Sequence, residues 1–389
     1  MSAGILLDQK RARRLLEQAL SGGEIPPAFL FVGPHGTGKE EAALGFAKTL
    51  NCSPGGEAVT DLFGESGSEK PDQGDSGLFT GVLGGCGTCH ACRRIGVYSH
   101  PDVIVRMPLP RPKSPKQADP ADPTEALAFK AEHPYRDPDI SGGNLSIGIA
   151  DVRAVTRQLA YAPVEGGKRV IIFREAELMR EEAQNALLKS LEEPPDHSLF
   201  ILTTNRPDAL LSTVRSRCRT IHFGPLPHDT ISAWLRDEGF ALSEEFDCAA
   251  LARGSLKRAV AISEGGVPAR EEALQILSWV IDGRSPQAIK WAAGHTFKSG
   301  GGAQVNARQV MDELLSLTRD VAVIQAGSDV PLMNPDQEDL LRSIGAGATA
   351  GAGIEALEAV IAARGEVDRF VNLALIYTSL FEALKPLGA

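Results

Sequence analysis

Residues 169–219 decide the fold, and they read RVIIFREAELMREEAQNALLKSLEEPPDHSLFILTTNRPDALLSTVRSRCR. Residues 170–173 form a short apolar run, which predicts a strand covered on both faces of a parallel sheet. Apolar residues at helical spacing follow, and this helix must end before Pro194 and Pro195, because proline lacks the N–H group and disfavours helical geometry in the residue before it. A second strand is predicted over residues 199–204, so the stretch alternates strand, helix and strand.

Polar residues follow each predicted strand. Glu175 comes after the first strand, Asn205 after the second, and Ser216-Arg217-Cys218 follows one more short helical stretch. P-loop ATPases carry their second acid, their nucleotide sensor and their arginine finger in this order. With the wording EAELM, NALLKSLEEPP, ILTTN and TVRSRC, the stretch resembles the bacterial clamp loader subunits of the AAA+ family. The resemblance covers about residues 1–225 with two insertions, and more weakly the helical remainder.

The resemblance implies an α/β plus all-α architecture in three parts. An AAA+ P-loop parallel-sheet domain with a zinc module is expected over residues 1–224, a small helical lid over 225–267 and a helical collar domain over 268–389. In the family the collar packs with other subunits into a ring. Apolar residues at helical spacing in the last part fit equally a self-contained helical bundle, which periodicity does not distinguish from a collar.

Composition limits the classes of protein that the chain can be. Its 389 residues suffice for two or three domains, and its net charge of −10 argues against broad wrapping of nucleic acid, because phosphate binding needs clustered Lys and Arg. The longest apolar runs are strand-sized and the N-terminus has no apolar signal core, so we expect a cytoplasmic protein without a membrane segment. The six cysteines in such a chain suggest metal binding rather than disulfides.

A Gly-rich turn follows a predicted strand over residues 28–32 and opens a helix. The turn reads GPHGTGKE over residues 33–40, and it would cradle phosphate with Gly33, Gly36, Gly38 and Lys39. It departs from a Walker A motif at Glu40, where a Ser or Thr would hold Mg²⁺. A carboxylate about 4 Å from a phosphate charge costs about 4 kcal/mol at an effective dielectric near 20, so we expect weakened binding of ATP or ADP.

The second metal position departs from the pattern as well. Active family members carry Asp then Glu after the 170–173 strand, whereas this chain carries Arg174 and Glu175. A guanidinium stays protonated and does not coordinate a cation. We therefore expect no ATP hydrolysis by this chain alone. The resemblance further implies sensor roles for Thr204 and Lys257, although Lys257 replaces the usual arginine and Thr204 serves equally well in hydrogen bonding at a strand end.

Three closely spaced cysteines, Cys86, Cys89 and Cys92, indicate a structural zinc site. The family resemblance makes Cys52 the fourth ligand, with His90 and His100 as substitutes. The alternatives are unliganded core cysteines and an iron–sulfur site, which usually has a Cys-Pro partner that this chain lacks. Two mobile insertions are expected, over about residues 53–85, which separate Cys52 from the triple, and about 108–143, which are rich in proline and charge.

Arg217 stands in an intact Ser216-Arg217-Cys218 wording, which resembles the arginine finger of the family. An arginine finger acts on the nucleotide of a neighbouring subunit, so it stays useful after its own chain's site has decayed, and its planar fork suits phosphate oxygens. The alternative is a structural ion pair with a local acid.

Together these features indicate a largely non-hydrolysing subunit of a clamp loader. The partners implied are motor subunits and a clamp-opening subunit in a hetero-oligomer, with the sliding clamp and primed DNA reached through the complex. Two rivals remain open, an active motor ATPase with an unusual Walker pair and a zinc-containing adaptor without clamp loader partners.

Overall fold

The computed structural model describes residues 8–22, 25–53, 83–111, 122–136, 138, 144–165, 167–240, 247–264, 267–283, 285–294, 301–369 and 371–388. The chain divides into two compact units, one of residues 1–140 and 145–230 and the other of residues 141–144 and 231–389.

A five-stranded sheet organises the first unit. The strands of the described residues are β1 Ala28–Val32, β2 Val103–Arg106, β3 Leu109–Arg111, β4 Asn144–Ser146, β5 Arg169–Phe173, β6 Ser198–Thr204 and β7 Arg219–His222. Five of them form one sheet in the order β2-β5-β6-β1-β7, in which every neighbouring pair is parallel, and β3 pairs with β4 separately. The predicted P-loop parallel-sheet domain is confirmed by this topology.

The register of the strands brings three functional segments to one edge. β6 lies between β1 and β5, with Val32 opposite Thr204 and Phe173 opposite Leu202. The residues that follow β1 and β5, Gly33 and Arg174, therefore meet beside the end of β6. Ligands of open parallel sheets bind at this carboxyl edge.

Helices cover both faces of the sheet. One face packs Phe29 and Phe31 of β1 against Phe46, with the Phe29 and Phe46 rings 5.6 Å apart, and the other face packs Leu30 and Phe200. The strands are buried on both sides, as their continuous apolar runs predict. The helices of this unit are Lys10–Ser21, Lys39–Asn51, His90–Gly96, Thr124–Glu132, Ile149–Leu159, Glu181–Glu192 and Ser212–Arg215.

The second predicted insertion, over about 108–143, contains an ordered element that we did not expect. Residues Thr124–Glu132 form a helix, and its Ala126 and Leu127 are buried in the core of the sheet. A short apolar segment within a proline-rich and charged stretch is enough to anchor a helix once a partner surface exists. The rest of this insertion, at 112–121, 137 and 139–143, and most of the first, at 54–82, lie outside the described residues.

From residue 231 onward, the second unit is helical in every described residue that has regular structure. A helix over His228–Asp237 leads into it, and the others are Cys248–Leu251, Leu256–Ser263, Pro268–Ile281, Ser285–Gly294, Gly301–Gln325, Glu338–Gly347, Ala352–Asp368 and Leu373–Leu384. Trp291 packs edge-on against Tyr377 at 4.8 Å in its core. The predicted boundary between lid and collar at residue 267 falls inside this one unit, so the lid and collar remain predictions.

A buried carboxylate joins the predicted lid to the predicted collar. Glu313 of the helix Gly301–Gln325 is 1% exposed, and its carboxylate accepts hydrogen bonds from Arg253 at 3.0 Å and from Arg258 at 2.9 Å. Arg270 lies 3.6 Å away. Burial alone would raise the pKa of Glu313, but the arginine hydrogen bonds and charges hold this pKa below its usual value.

No single helix among the described residues is long and apolar enough to span a membrane. The helical segments Pro335–Gly347 and Ala352–Val367, bent at 111° to each other, meet the length and composition criteria only as a pair.

Candidate functional site

The P-loop turns between β1 and the helix Lys39–Asn51. Gly36 and Gly38 have φ angles of 70° and 90°, which favour glycine, so the motif's glycines are needed for this turn. The Lys39 ammonium does not extend past the loop. It donates hydrogen bonds to the carbonyl oxygens of Gly33 at 2.8 Å and of Pro34 at 2.5 Å. The cation that would contact a nucleotide's outer phosphates is thus engaged by the loop's own backbone.

Glu40 and Arg174, at the two positions where the family resemblance leads us to expect magnesium-supporting groups, bind each other. Arg174, at the end of β5, places Nη2 2.8 Å from Oε2 of Glu40, at the start of the P-loop helix. The Tyr98 hydroxyl donates to Oε1 of Glu40 at 3.0 Å, and the Lys130 ammonium lies 3.9 Å from Oε2. Neither substitution leaves its charge unpaired, because each supplies the counterion of the other.

Several charged groups surround Glu40. Burial, followed by the charge of Glu40, raises the pKa of Glu41 and also raises the pKa of Tyr98, so that the phenol stays a hydrogen-bond donor. Lys130 is 1% exposed and also donates to the backbone oxygens of Pro134 and Arg136, which fixes it in place. Two cations, Arg174 and Lys130, therefore balance the carboxylates at the mouth of the P-loop.

The other predicted nucleotide-binding residues are placed as follows. Glu175 follows Arg174 with φ of 49°, and its N–H donates to the Thr203 hydroxyl at 3.3 Å. Thr204 is buried and accepts a hydrogen bond from the N–H of Arg206 at 3.0 Å, the strand-end bonding that we considered as an alternative to a sensor. These residues share the carboxyl edge with the P-loop. Lys257 belongs to the second unit, on the helix Leu256–Ser263.

Four cysteines form one compact cluster. The sulfur atoms of Cys52, Cys86, Cys89 and Cys92 all lie within 4.8 Å of one another. Tetrahedral Zn²⁺ with Zn–S bonds of about 2.3 Å needs sulfurs about 3.8 Å apart, so the donor set and its spacing fit such an ion after small adjustments. Gly85, with φ of 64°, runs directly past the cluster, where an added Cβ would lie 2.6 Å from the Cys92 sulfur.

The environment of the thiols is uneven. Burial raises the pKa of Cys52 to about 12, whereas the Thr88 hydroxyl, followed by the Cys89 N–H, lowers the pKa of Cys86 to about 6. A bound cation would favour the thiolate at every position.

The histidines considered as substitute ligands take other positions. His100 is buried with Nε2 3.0 Å from Glu165, and its Nδ1 accepts from the Asp102 N–H at 3.1 Å. His90 begins the helix that carries Cys92 and is exposed.

Asp102 anchors the turn before β2, a role that sequence reasoning did not assign. Its carboxylate accepts hydrogen bonds from the N–H groups of Val164 at 2.9 Å and Glu165 at 2.8 Å, and from the Arg169 guanidinium at 2.9 Å. Burial alone would raise its pKa, but these bonds hold the pKa below its usual value. The Tyr-Ser-His-Pro-Asp wording, which resembles a turn of the family, was the available signal.

Arg217 lies at the surface, immediately after the helix Ser212–Arg215. Its Nη1 donates to the Thr213 carbonyl at 2.8 Å and its Nη2 is ion-paired with Glu192. The arginine side chain is 33% exposed and the glutamate 48% exposed. Arg215, two residues earlier, pairs instead with the exposed Asp208 at 3.0 Å.

Comparisons with known proteins agree with this arrangement. Residues 78–227 match the family described as "DNA polymerase III, delta subunit". DNA polymerase III subunit delta prime of Bacillus subtilis (strain 168) is 27% identical over 340 residues, which are 86% of this chain and 83% of that protein. The subunit delta prime of Escherichia coli (strain K12) is 30% identical over 54% of each chain.

Gamma/tau subunits are similar too. DNA polymerase III subunit gamma/tau of Mycobacterium tuberculosis is 30% identical over 59% of this chain but only 30% of its own length. The segment that matches the delta subunit family, residues 78–227, contains the cysteine triple, the Arg174–Glu175 pair and Arg217. The parallel sheet topology is compatible with this similarity. The chain is therefore delta prime-like, similar to the DNA polymerase III subunits that belong to bacterial clamp loaders.

Proposed function

We propose that this chain is a stator in the clamp loader of DNA polymerase III, which supports loading of the sliding clamp on primed DNA and hydrolyses no ATP itself. The observation that carries the proposal is the Glu40–Arg174 pair at the two magnesium-supporting positions. Its partners would be the motor subunits and the clamp-opening delta subunit in a hetero-oligomer. The clamp and the DNA would be reached through that complex.

Hydrolysis needs a divalent cation that bridges the nucleotide's phosphates and an acid that orients water. Oxygen ligands are what Mg²⁺ requires, and the guanidinium of Arg174 supplies none. The Glu40 carboxylate is an oxygen donor, but it is engaged by Arg174 and Tyr98. Glu175 remains where an activating acid belongs, with no metal position beside it. ATP or ADP binding would be weak for a further reason, since Lys39 bonds its own loop.

Arg217 would act in trans as the arginine finger of a neighbouring motor subunit. Its position on the surface, after a short helix and partly exposed, is compatible with reaching a second chain. Such a contact stabilises the charge that develops on the transferred phosphoryl group. The four-cysteine cluster would hold a structural Zn²⁺, since four thiolates leave no open position for catalysis.

The similarity to gamma/tau subunits is the observation that favours the rival function, an active motor. The rival requires Mg²⁺ to bind despite the Glu40–Arg174 pair. It predicts magnesium-dependent ATP turnover by the isolated chain that falls on Lys39→Ala.

The test is ATP turnover by reconstituted motor and delta subunits, with and without this chain. Arg217→Ala should reduce turnover at the one motor site that it completes by about 10³-fold or more, as arginine fingers do, and lower the turnover of the complex by the share of that site, while the thermal stability of the chain alone changes little. Arg215→Ala is the matched control, because it removes a similar surface ion pair two residues away. Unchanged turnover with Arg217→Ala would exclude the finger role.

A further inference from the structure

Both terminal nitrogens of the Arg217 guanidinium group have a partner within the chain. Nη2 pairs with the Glu192 carboxylate, Nη1 donates to the Thr213 carbonyl at 2.8 Å, and Nε is buried without a partner. Bidentate contact with phosphate uses two parallel N–H groups of the same fork, and every such fork includes Nη2. A phosphate bound in this way therefore competes with Glu192 for the nitrogen that the carboxylate holds.

The same contact also places a negative charge where it opposes phosphate binding. Glu192 ends the helix Glu181–Glu192 and is exposed, so its carboxylate is not required to neutralise a buried group. A phosphate brought to Arg217 would meet this carboxylate, and like charges at close range repel. The glutamate and the phosphate therefore compete for one guanidinium.

The ion pair between Arg217 and Glu192 is weak enough for a phosphate to displace the glutamate. Both side chains are partly exposed, 33% for Arg217 and 48% for Glu192, and exposed ion pairs are screened by water and salt. Such a pair is strong enough to bias the resting position of a side chain and weak enough to exchange for a phosphate.

We infer that Glu192 is a latch on Arg217, an autoinhibitory contact within the chain that holds the finger on its own surface until a neighbouring subunit's nucleotide displaces it. The inference rests on the proposed function of Arg217 and adds a regulatory residue to it.

The experiment compares Glu192→Gln with Glu193→Gln in the reconstituted complex of this chain with motor and delta subunits. The control removes the same charge from the adjacent exposed residue. Glu192→Gln should raise ATP turnover about two- to fivefold, the range that the loss of an exposed ion pair allows, and Glu193→Gln should leave it unchanged. The gain should shrink as salt rises, because screening already weakens the wild-type pair, and Arg217→Ala should abolish it.

The possible results distinguish the proposed role of Glu192 from the proposed role of Arg217. If Arg217→Ala lowers turnover while Glu192→Gln does nothing or lowers it, the finger stands and the latch is refuted. A lower value for Glu192→Gln would mean that the glutamate positions the arginine for transfer. If Arg217→Ala itself has no effect, the proposed function fails first. A gain with Glu192→Gln that persists in the double variant would also overturn the latch.

Discussion

Neutralising Glu40 and Arg174 separately and together tests whether they form one coupled unit. The variants are Glu40→Gln, Arg174→Met and the double variant, each of which keeps side-chain volume near the original. Two unit charges 2.8 Å apart attract by about 6 kcal/mol at an effective dielectric of 20. Desolvation offsets part of this attraction, and removing one partner of a buried pair costs about 3–5 kcal/mol.

The structure places both single variants near the low end of that range. Arg174→Met leaves Glu40 with Tyr98 and Lys130, and Glu40→Gln keeps an amide oxygen beside Arg174. We expect each to lower the free energy of unfolding by about 3 kcal/mol. The double variant removes both charges of the pair and leaves only Lys130 without the Glu40 carboxylate, as Glu40→Gln already does, so its loss should also be about 3 kcal/mol instead of the additive 6, a coupling of about 3 kcal/mol.

Urea unfolding followed by circular dichroism measures these losses. Tryptophan fluorescence reports on the second unit separately, because all three tryptophans, Trp234, Trp279 and Trp291, lie beyond residue 230 in that unit. Losses that add to within about 0.5 kcal/mol would refute the coupling and with it the electrostatic account of the inert site.

The remaining predictions concern the cysteine cluster and the second unit. Gly85→Ala should lower zinc affinity at least about tenfold, because the added Cβ would meet the Cys92 sulfur. Gly87→Ala, at a similar φ of 74° but with open space around the added Cβ, should retain most of the metal. Chelator competition measures the zinc affinity of both variants, and equal losses would contradict the steric reason. For Glu313, the folded-state pKa lies below its usual 4.5, so its contribution to stability is present above that value and disappears as the pH falls through the folded-state pKa. Glu313→Gln should destabilise the second unit by about 3 kcal/mol at neutral pH and flatten the acid limb of its fluorescence-monitored stability, and an unaltered acid limb would count against this role.

The three central strands of the sheet, β5, β6 and β1, could be predicted from the sequence nearly to the residue. Residues 28–32 form β1 as predicted, and the predicted strands over 170–173 and 199–204 each gain one residue at the start. Strands buried on both faces are apolar without interruption, so their bounds are visible locally. The P-loop turn could also be predicted from the sequence, because its positive φ angles require glycine.

The pairing at the candidate site was not visible in the sequence. Glu40 and Arg174 each looked like an independent loss, because residues so far apart in the chain meet only through the order of the strands. Lys130 sits in a stretch whose proline and charge predicted mobility, and its contact with Glu40 depends on the helix that Ala126 and Leu127 anchor. Tertiary packing, not local pattern, decides such contacts.

Under the proposed function, the Glu40–Arg174 pair also bears on how readily hydrolysis could arise by single substitutions. Restoring a threonine at position 40 alone would leave the buried guanidinium of Arg174 without its carboxylate, and restoring an aspartate at position 174 alone would set it against Glu40 and Glu41. Each one-step intermediate is thus less stable than either end state, by an amount comparable to a sizeable share of a domain's total stability. If the chain is the non-hydrolysing stator proposed above, the ion pair opposes a stepwise return to a magnesium-binding site.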